Sequence, residues 1–302
     1  MRLGTFVPKA SPGQARVGAL LGDRVLDLGM GSITMKTFLS LGATGLEHAS
    51  NLLAEARAGK HGEMLWAPGD VRLLPPVTDA GKFLCVGKNY RSHLAELERT
   101  DLIRERPQEP TGFIKLNSCL VGQDAEVERP PSVAHLDYEP ELVFVLGKPA
   151  FRAKRENAFN YVAGITLLND LTCRDTQKRE VASGSRFWTA KNAPGFGPLG
   201  PWIITMDEVR DPYDIWVTCS VNGEQRMRVN TRDQIWKLPD IIEHFSRLLP
   251  LEPGDLFSTG APGGVAVGKP NAAELYLKPG DRMEIAIEGL MSLRNTIVAP
   301  PD

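Results

Sequence analysis

Three things are missing from this 302-residue sequence, and each absence removes a class of protein. There is no long apolar run. Nothing approaches the ~18 apolar residues of a membrane-spanning helix, and the opening MRLGTFVPKASPG has no apolar h-region of a secretory signal. There is no cysteine framework either. Cys85, Cys119, Cys173 and Cys219 lie far apart, form no CxxC pair and sit among apolar neighbours, as reduced core thiols do and as disulfides or zinc ligands do not. Nor is there an excess of charge. A formal net charge of -2 and a pI near 6.3 give no electrostatic case for nucleic acid or an anionic membrane surface, so a small neutral or acidic ligand is the expected partner. Together these absences predict a cytoplasmic protein with no nucleic-acid or membrane partner.

What is present is ordinary globular material: 42% hydrophobic and 24% charged residues, enough for a sizeable core and a small second domain. VGALLGDRVLDL (17–28) reads as two short apolar runs about a Gly-Asp turn. TMKTFLSLG and LEHASNLLAEARAG follow with helical spacing and a glycine after each. The paired prolines of LLPPV (73–77) favour an extended linker, which makes residues 1–72 a small α+β N-terminal domain and 73–302 the main one. From Lys82 onward the runs KFLCVG, GFIKL, ELVFVLG, YVAGITLLND, PWIIT, DIWVTCSVNG, DLFSTG and RMEIAIEG are short and β-rich. Asn222-Gly223 and Glu288-Gly289 look like hairpin turns, and LEPGD and LKPGD are turns leading into strands. The expected fold class is α+β, mostly β, with a mixed, rolled or barrel-like sheet in the larger domain.

The chemistry concentrates in LDYEPELVFVLG (136–147), where Glu139 and Glu141 stand at the mouth of an apolar run. Strand residues two apart share a face, so two like charges repel there unless something positive lies between them. A solvent-facing E-x-E would avoid the problem, but LVFVLG is almost continuously apolar and suggests a strand covered on both faces. YVAGITLLND is a second apolar strand, and it ends in Asp170, a carboxylate that could meet the first two. Three hard oxygen ligands suit Mg2+, Mn2+ or Ca2+. His135 shares strand parity with Asp137, Glu139 and Glu141 and stays open as a further ligand, although the proline-bounded PPSVAH favours a loop histidine. GGVAVGKP (263–270) nearly spells a phosphate loop. Pro270 replaces the required hydroxyl residue, however, and the following segment turns back too soon for a long helix.

FLCVGKNYRSHLAE, DYEPELVFVLG, AGITLLNDLTCRDTQ, KNAPGFGPLGPWI, STGAPGGVAVG and LKPGDRMEIAIEGLMSLRNTI occur in the order and spacing seen in the fumarylacetoacetate hydrolase family. From about Leu73 to the C-terminus the chain resembles that family, and its first 72 residues fit the members with a small N-terminal domain. The resemblance implies a β-roll catalytic domain, usually homodimeric, with a divalent metal on Glu139, Glu141 and Asp170. His93 and Glu96, three apart on one helical face, could pair as base and orienting carboxylate or simply meet at the surface. The resemblance makes them the pair that activates the attacking water and folds over the site as a lid. It extends the lid through the polar stretch 97–112, sets Lys191 beside the metal as an oxyanion or enolate partner, and makes Arg174, Gln177 and Thr259 substrate contacts.

These parts imply an acylpyruvase-type enzyme: a metal-bound 2,4-dioxo acid is attacked by water and split into a carboxylic acid and pyruvate. Decarboxylation of an oxaloacetate-like substrate would use the same enolate, and dehydratases and isomerases of 2-oxo acids belong to the same family. A member that keeps the metal site and lacks catalysis is the remaining alternative. Two departures stand out. TGAP replaces the family's usual T-G-T-P, so Ala261 lacks a hydroxyl, and Pro140 between the glutamates removes a backbone donor.

Overall fold

A computed structural model describes residues 1–99 and 107–301. The fold is α+β and mostly β. One large mixed sheet runs in the order Leu65–Trp66, Arg24–Asp27, Arg16–Leu21, Arg2–Pro8, Gly197–Thr205, Val162–Asn169, Pro140–Leu146, Leu256–Ser258, Phe83–Gly87 and Thr111–Ile114. The N-terminal hairpin forms about Gly22-Asp23, and the helical spacing after it becomes Met35–Ser40 and Ala43–Arg57. Residues 1–72 are joined edge to edge with the rest of the chain. Arg2 and Leu3 pair with Ile204 and Ile203 in antiparallel register.

The central strand Pro140–Leu146 shows why its sequence is apolar throughout: every one of its residues is buried. Val143 and Val145 pack with Phe38, Leu39, Leu168 and Ile203 under the two helices. Leu142, Phe144 and Leu146 point the other way, into a core shared with Val217, Cys219, Ile285 and Leu293. Those last residues belong to a second, five-stranded sheet, which includes both predicted hairpins, Trp216–Val221 with Glu224–Asn230 and Arg282–Ile287 with Met291–Val298. Each buried side chain of this size contributes ~1.5–3 kcal/mol, so a strand sandwiched between two apolar layers is held firmly in register. Pro140 opens the strand, the position where a missing donor is tolerated.

That register gathers the site. The start of Pro140–Leu146 lies beside the end of Val162–Asn169, with Pro140 opposite Asn169, and beside Ser258 at the end of Leu256–Ser258, which is opposite Val143. Phe83–Gly87 runs parallel to Leu256–Ser258 and feeds the helix Arg91–Arg99. The expected lid, residues 97–112, falls in part on 100–106, which lie outside the described residues. Among the described residues no helix is long and apolar enough to cross a membrane.

Candidate metal centre and active site

Backbone hydrogen bonds set the two outer carboxylates. Glu139 N–H donates to the Asn169 side-chain oxygen at 2.9 Å, and Asp170 N–H donates to the Glu139 carbonyl at 2.8 Å. Glu139, Glu141 and Asp170 are all buried, and each offers an oxygen within 4.8 Å of the others. The positive charge demanded by the sequence is partly supplied by the chain itself. Lys191 Nζ lies 2.5 Å from Glu139, 2.5 Å from Asp170 and 2.8 Å from the Thr172 hydroxyl. Lys115 Nζ donates to Asp170 at 2.7 Å and to the Lys191 carbonyl at 2.6 Å. Arg174 Nη2 is 2.7 Å from both Asp137 and Glu139.

These cations divide the carboxylates into two kinds. Burial opposes ionisation of Glu139, but Lys191 and Arg174 outweigh it and hold the carboxyl at about 2. Glu141 is pushed well above the ordinary carboxylate range by burial and then by the charges of Asp170 and Glu139; the Ser258 hydroxyl, which donates to it, offsets this only in part. Lys191 is raised by Asp170 and Glu139 in spite of its burial and stays an ammonium. Three converging hard oxygens, one of them left without a cation of its own, fit a divalent ion and do not suit a soft-ligand metal.

The helix Arg91–Arg99 carries the candidate base. His93 Nδ1 and Glu96 Oε2 are 3.4 Å apart, at the long limit of a hydrogen bond. The other Glu96 oxygen accepts from Gly264 N–H at 2.7 Å. A charge on His93 would help depress Glu139, after Lys191 and Arg174. A Cβ on Gly268 would come within 2.7 Å of the Glu96 carboxyl carbon and would push that carboxylate aside.

The glycine-rich segment does cradle an anion, but one from its own chain. Asp137 accepts from Ala266 N–H at 2.9 Å and Val267 N–H at 3.0 Å, and Arg174 Nε donates to it at 2.8 Å. His135 lies away from the three carboxylates. It pairs with Asp175 at 2.6 Å, half-exposed against the Tyr276 ring. Gln177 accepts from Arg174 Nη1 at 2.9 Å. The Thr259 hydroxyl donates to the Leu142 carbonyl at 3.0 Å and meets the Tyr90 hydroxyl at 3.2 Å, so substrate contact there would exchange one of these bonds. Sequence reasoning missed Lys115 and Ser258. A lysine closing the apolar run GFIKL was the available signal for the first, and a lone serine ending a buried strand gave none.

Residues 82–298 match the family model described as fumarylacetoacetate (FAA) hydrolase C-terminal. The chain is 32% identical over 304 residues to the mitochondrial oxaloacetate tautomerase fahd2 of Xenopus laevis, covering 99% of this chain and 90% of that protein. It is 36% identical over 245 residues to 2,4-didehydro-3-deoxy-L-rhamnonate hydrolase of Sphingomonas sp. (strain SKA58), covering 81% and 83% of the two chains. Among solved structures it is similar to maleylpyruvate hydrolase from Sphingobium sp. SYK-6 in complex with manganese(II) and pyruvate, at 26% identity, a TM-score of 0.78 and full coverage of both chains.

Proposed function

The chain belongs to the fumarylacetoacetate hydrolase family, and from that premise we propose that it is a divalent-metal-dependent hydrolase cleaving a C–C bond of a 2,4-dioxo acid to a carboxylic acid and pyruvate. The observation that carries this reading is the His93–Glu96 pair, 3.4 Å apart on the helix that follows the strand paired with Ser258, the donor to Glu141, since hydrolysis needs a base for water in addition to a metal site. A cation on Glu139, Glu141 and Asp170, with Mg2+ or Mn2+ the natural choices and Ca2+ a third, would supply Lewis-acid polarisation of the 2-oxo acid and a sink for enolate charge.

His93 takes a proton from water at Nε2 while Glu96, at Nδ1, fixes the ring and stabilises the imidazolium. The water oxygen bonds to the distal carbonyl carbon, the bond to C3 breaks, and its electron pair passes to the pyruvate enolate, which regains a proton at C3. Lys191 Nζ, a buried ammonium whose three donors are engaged, turns toward the developing oxyanion by exchanging its bond to the Thr172 hydroxyl. Arg174, Gln177 and Thr259 are proposed as substrate contacts.

A second reading, keto–enol tautomerisation of oxaloacetate, is favoured by the name of the similar Xenopus protein and needs proton transfer without an attacking water. Incubation with Mn2+ or Mg2+ and a panel of 2,4-dioxo acids and oxaloacetate separates the two. Loss of enol absorbance with pyruvate formed from a 2,4-dioxo acid supports hydrolysis, and enol loss from oxaloacetate without pyruvate supports tautomerisation. If nothing turns over and Glu139→Ala binds metal as well as the parent, the site assignment fails too.

A further inference from the structure

Asp137 is a buried carboxylate that the mechanism leaves unused. It lies two residues before Glu139, yet it stands outside the set of oxygens that converge as metal ligands, those of Glu139, Glu141 and Asp170. A carboxylate shut off from water costs folding energy unless donors saturate it. Here they do, and they come from two sides.

One side is Arg174. Its Nε donates to Asp137 Oδ2 at 2.8 Å, and its Nη2, 2.7 Å from the same oxygen, is also 2.7 Å from Glu139 Oε1. A single guanidinium nitrogen thus spans a metal ligand and Asp137.

The other side is the loop 263–268. Ala266 N–H donates to Asp137 Oδ1 at 2.9 Å and Val267 N–H to Oδ2 at 3.0 Å. The start of the same loop grips the helix Arg91–Arg99: Gly263 N–H donates to the Ser92 hydroxyl at 3.0 Å, and Gly264 N–H to Glu96 Oε1 at 2.7 Å. A Cβ on Gly263 would come 2.8 Å from the Ser92 Cβ, so loop and helix are in direct contact there. Gly264 and Ala266 are two residues apart, too short a span of chain to absorb a displacement of either grip.

We propose that Asp137 is a positioning residue that registers the His93–Glu96 pair to the metal ligands, through Arg174 on one side and the loop 263–268 on the other. The inference deepens, and rests on, the hydrolytic reading above.

Asp137→Asn keeps the shape of the side chain and one acceptor oxygen while removing the charge and part of the grip. With saturating Mn2+ and a 2,4-dioxo acid as substrate, it is expected to lower kcat about 10–100-fold and leave KM within about threefold. In a His93→Ala background the same change should cost less than about threefold, because residues that act through one another do not add. Amide exchange of the metal-free protein gives a second readout: 91–99 and 263–268 should exchange faster in Asp137→Asn, with 140–146 protected as in the parent. Should Asp137→Asn not fold, Ala266→Pro breaks the grip from the loop, at the first position of a turn whose preceding residue, Val265, is already extended (φ -61°, ψ 156°), and the same outcomes are expected of it. A kcat equal to the parent's, an equal loss in both backgrounds, or unchanged exchange over 91–99 overturns the assignment of Asp137 and leaves the hydrolytic reading standing. If the parent releases no pyruvate from any 2,4-dioxo acid, the hydrolytic reading falls and takes the assignment with it.

Discussion

The carboxylate floor and the helix facing it are held by different means. Glu141 sits in a strand with a hydrogen-bonded neighbour on each side and apolar cores above and below, and Glu139 and Asp170 are locked by Lys191, Lys115 and Arg174. The nine-residue helix Arg91–Arg99 buries only His93 and Leu94. It is too short to persist alone and is tied down from loops: Ser92 donates to Asp233 from N–H at 2.9 Å and from its hydroxyl at 2.5 Å, and Gly263 N–H donates to the Ser92 hydroxyl at 3.0 Å. Ligand geometry on the floor therefore follows global stability, whereas His93, the proposed base, is positioned by a local clamp that can loosen by itself.

Breaking the floor should cost most. Glu139→Ala leaves Lys191 and Arg174 buried short of a counter-charge and is expected to destabilise the metal-free protein by roughly 3–5 kcal/mol, with Mn2+ no longer raising the urea midpoint. His93→Ala should lower hydrolysis about 10²–10⁴-fold and change unfolding by less than about 1 kcal/mol. A loss of stability equal to that of Glu139→Ala would erase the contrast between the two regions.

A pH series sharpens the comparison from the floor's side. Glu141 keeps a proton in the metal-free fold that the unfolded chain gives up above its ordinary value of 4.5. The native state then binds more protons, so metal-free stability should fall as pH rises from 4.5 toward the raised value and level off beyond it. Because the cation must expel that proton, Mn2+ affinity should climb with pH over the same window, by up to about tenfold per unit. An affinity flat between pH 5 and pH 8 would mean that Glu141 is already ionised. The smallest effect is expected at the clamp: Asp233→Ala should cost about 1 kcal/mol, as loss of a helix cap does, and speed amide exchange across 91–99 while 140–146 stays protected.

Much of this was legible where local chemistry and global fold agree. The Gly-Asp hairpin, the glycine-ended helices and the doubly buried strand follow from turn residues and periodicity alone, and two glutamates leading an apolar run announce a cation. Asp170 could be read because it ends a strand of the same kind. Lys115 could not, since its partner lies 55 residues away and only the fold brings them together. The glycine-rich loop, set aside as a phosphate loop on its own residues, still binds an anion because backbone N–H groups bind a carboxylate as readily as a phosphate, and sequence does not say that Asp137 arrives from 129 residues upstream. Nor does anything local announce that Arg2–Pro8 pairs with Gly197–Thr205.

That last pairing bears on how the chain can be cut. Excising residues 1–72 would strip the neighbour from one side of Ile203 and Ile204 and uncover Leu168, Leu199 and Val145, which now lie under the N-terminal helices. The remainder would present a raw sheet edge beside an apolar face, the combination that draws chains into strand-to-strand aggregates. The first 72 residues thus serve as a solubility cap for the catalytic sheet, and a trimmed protein that precipitates would be reporting on that cap, with its chemistry untouched.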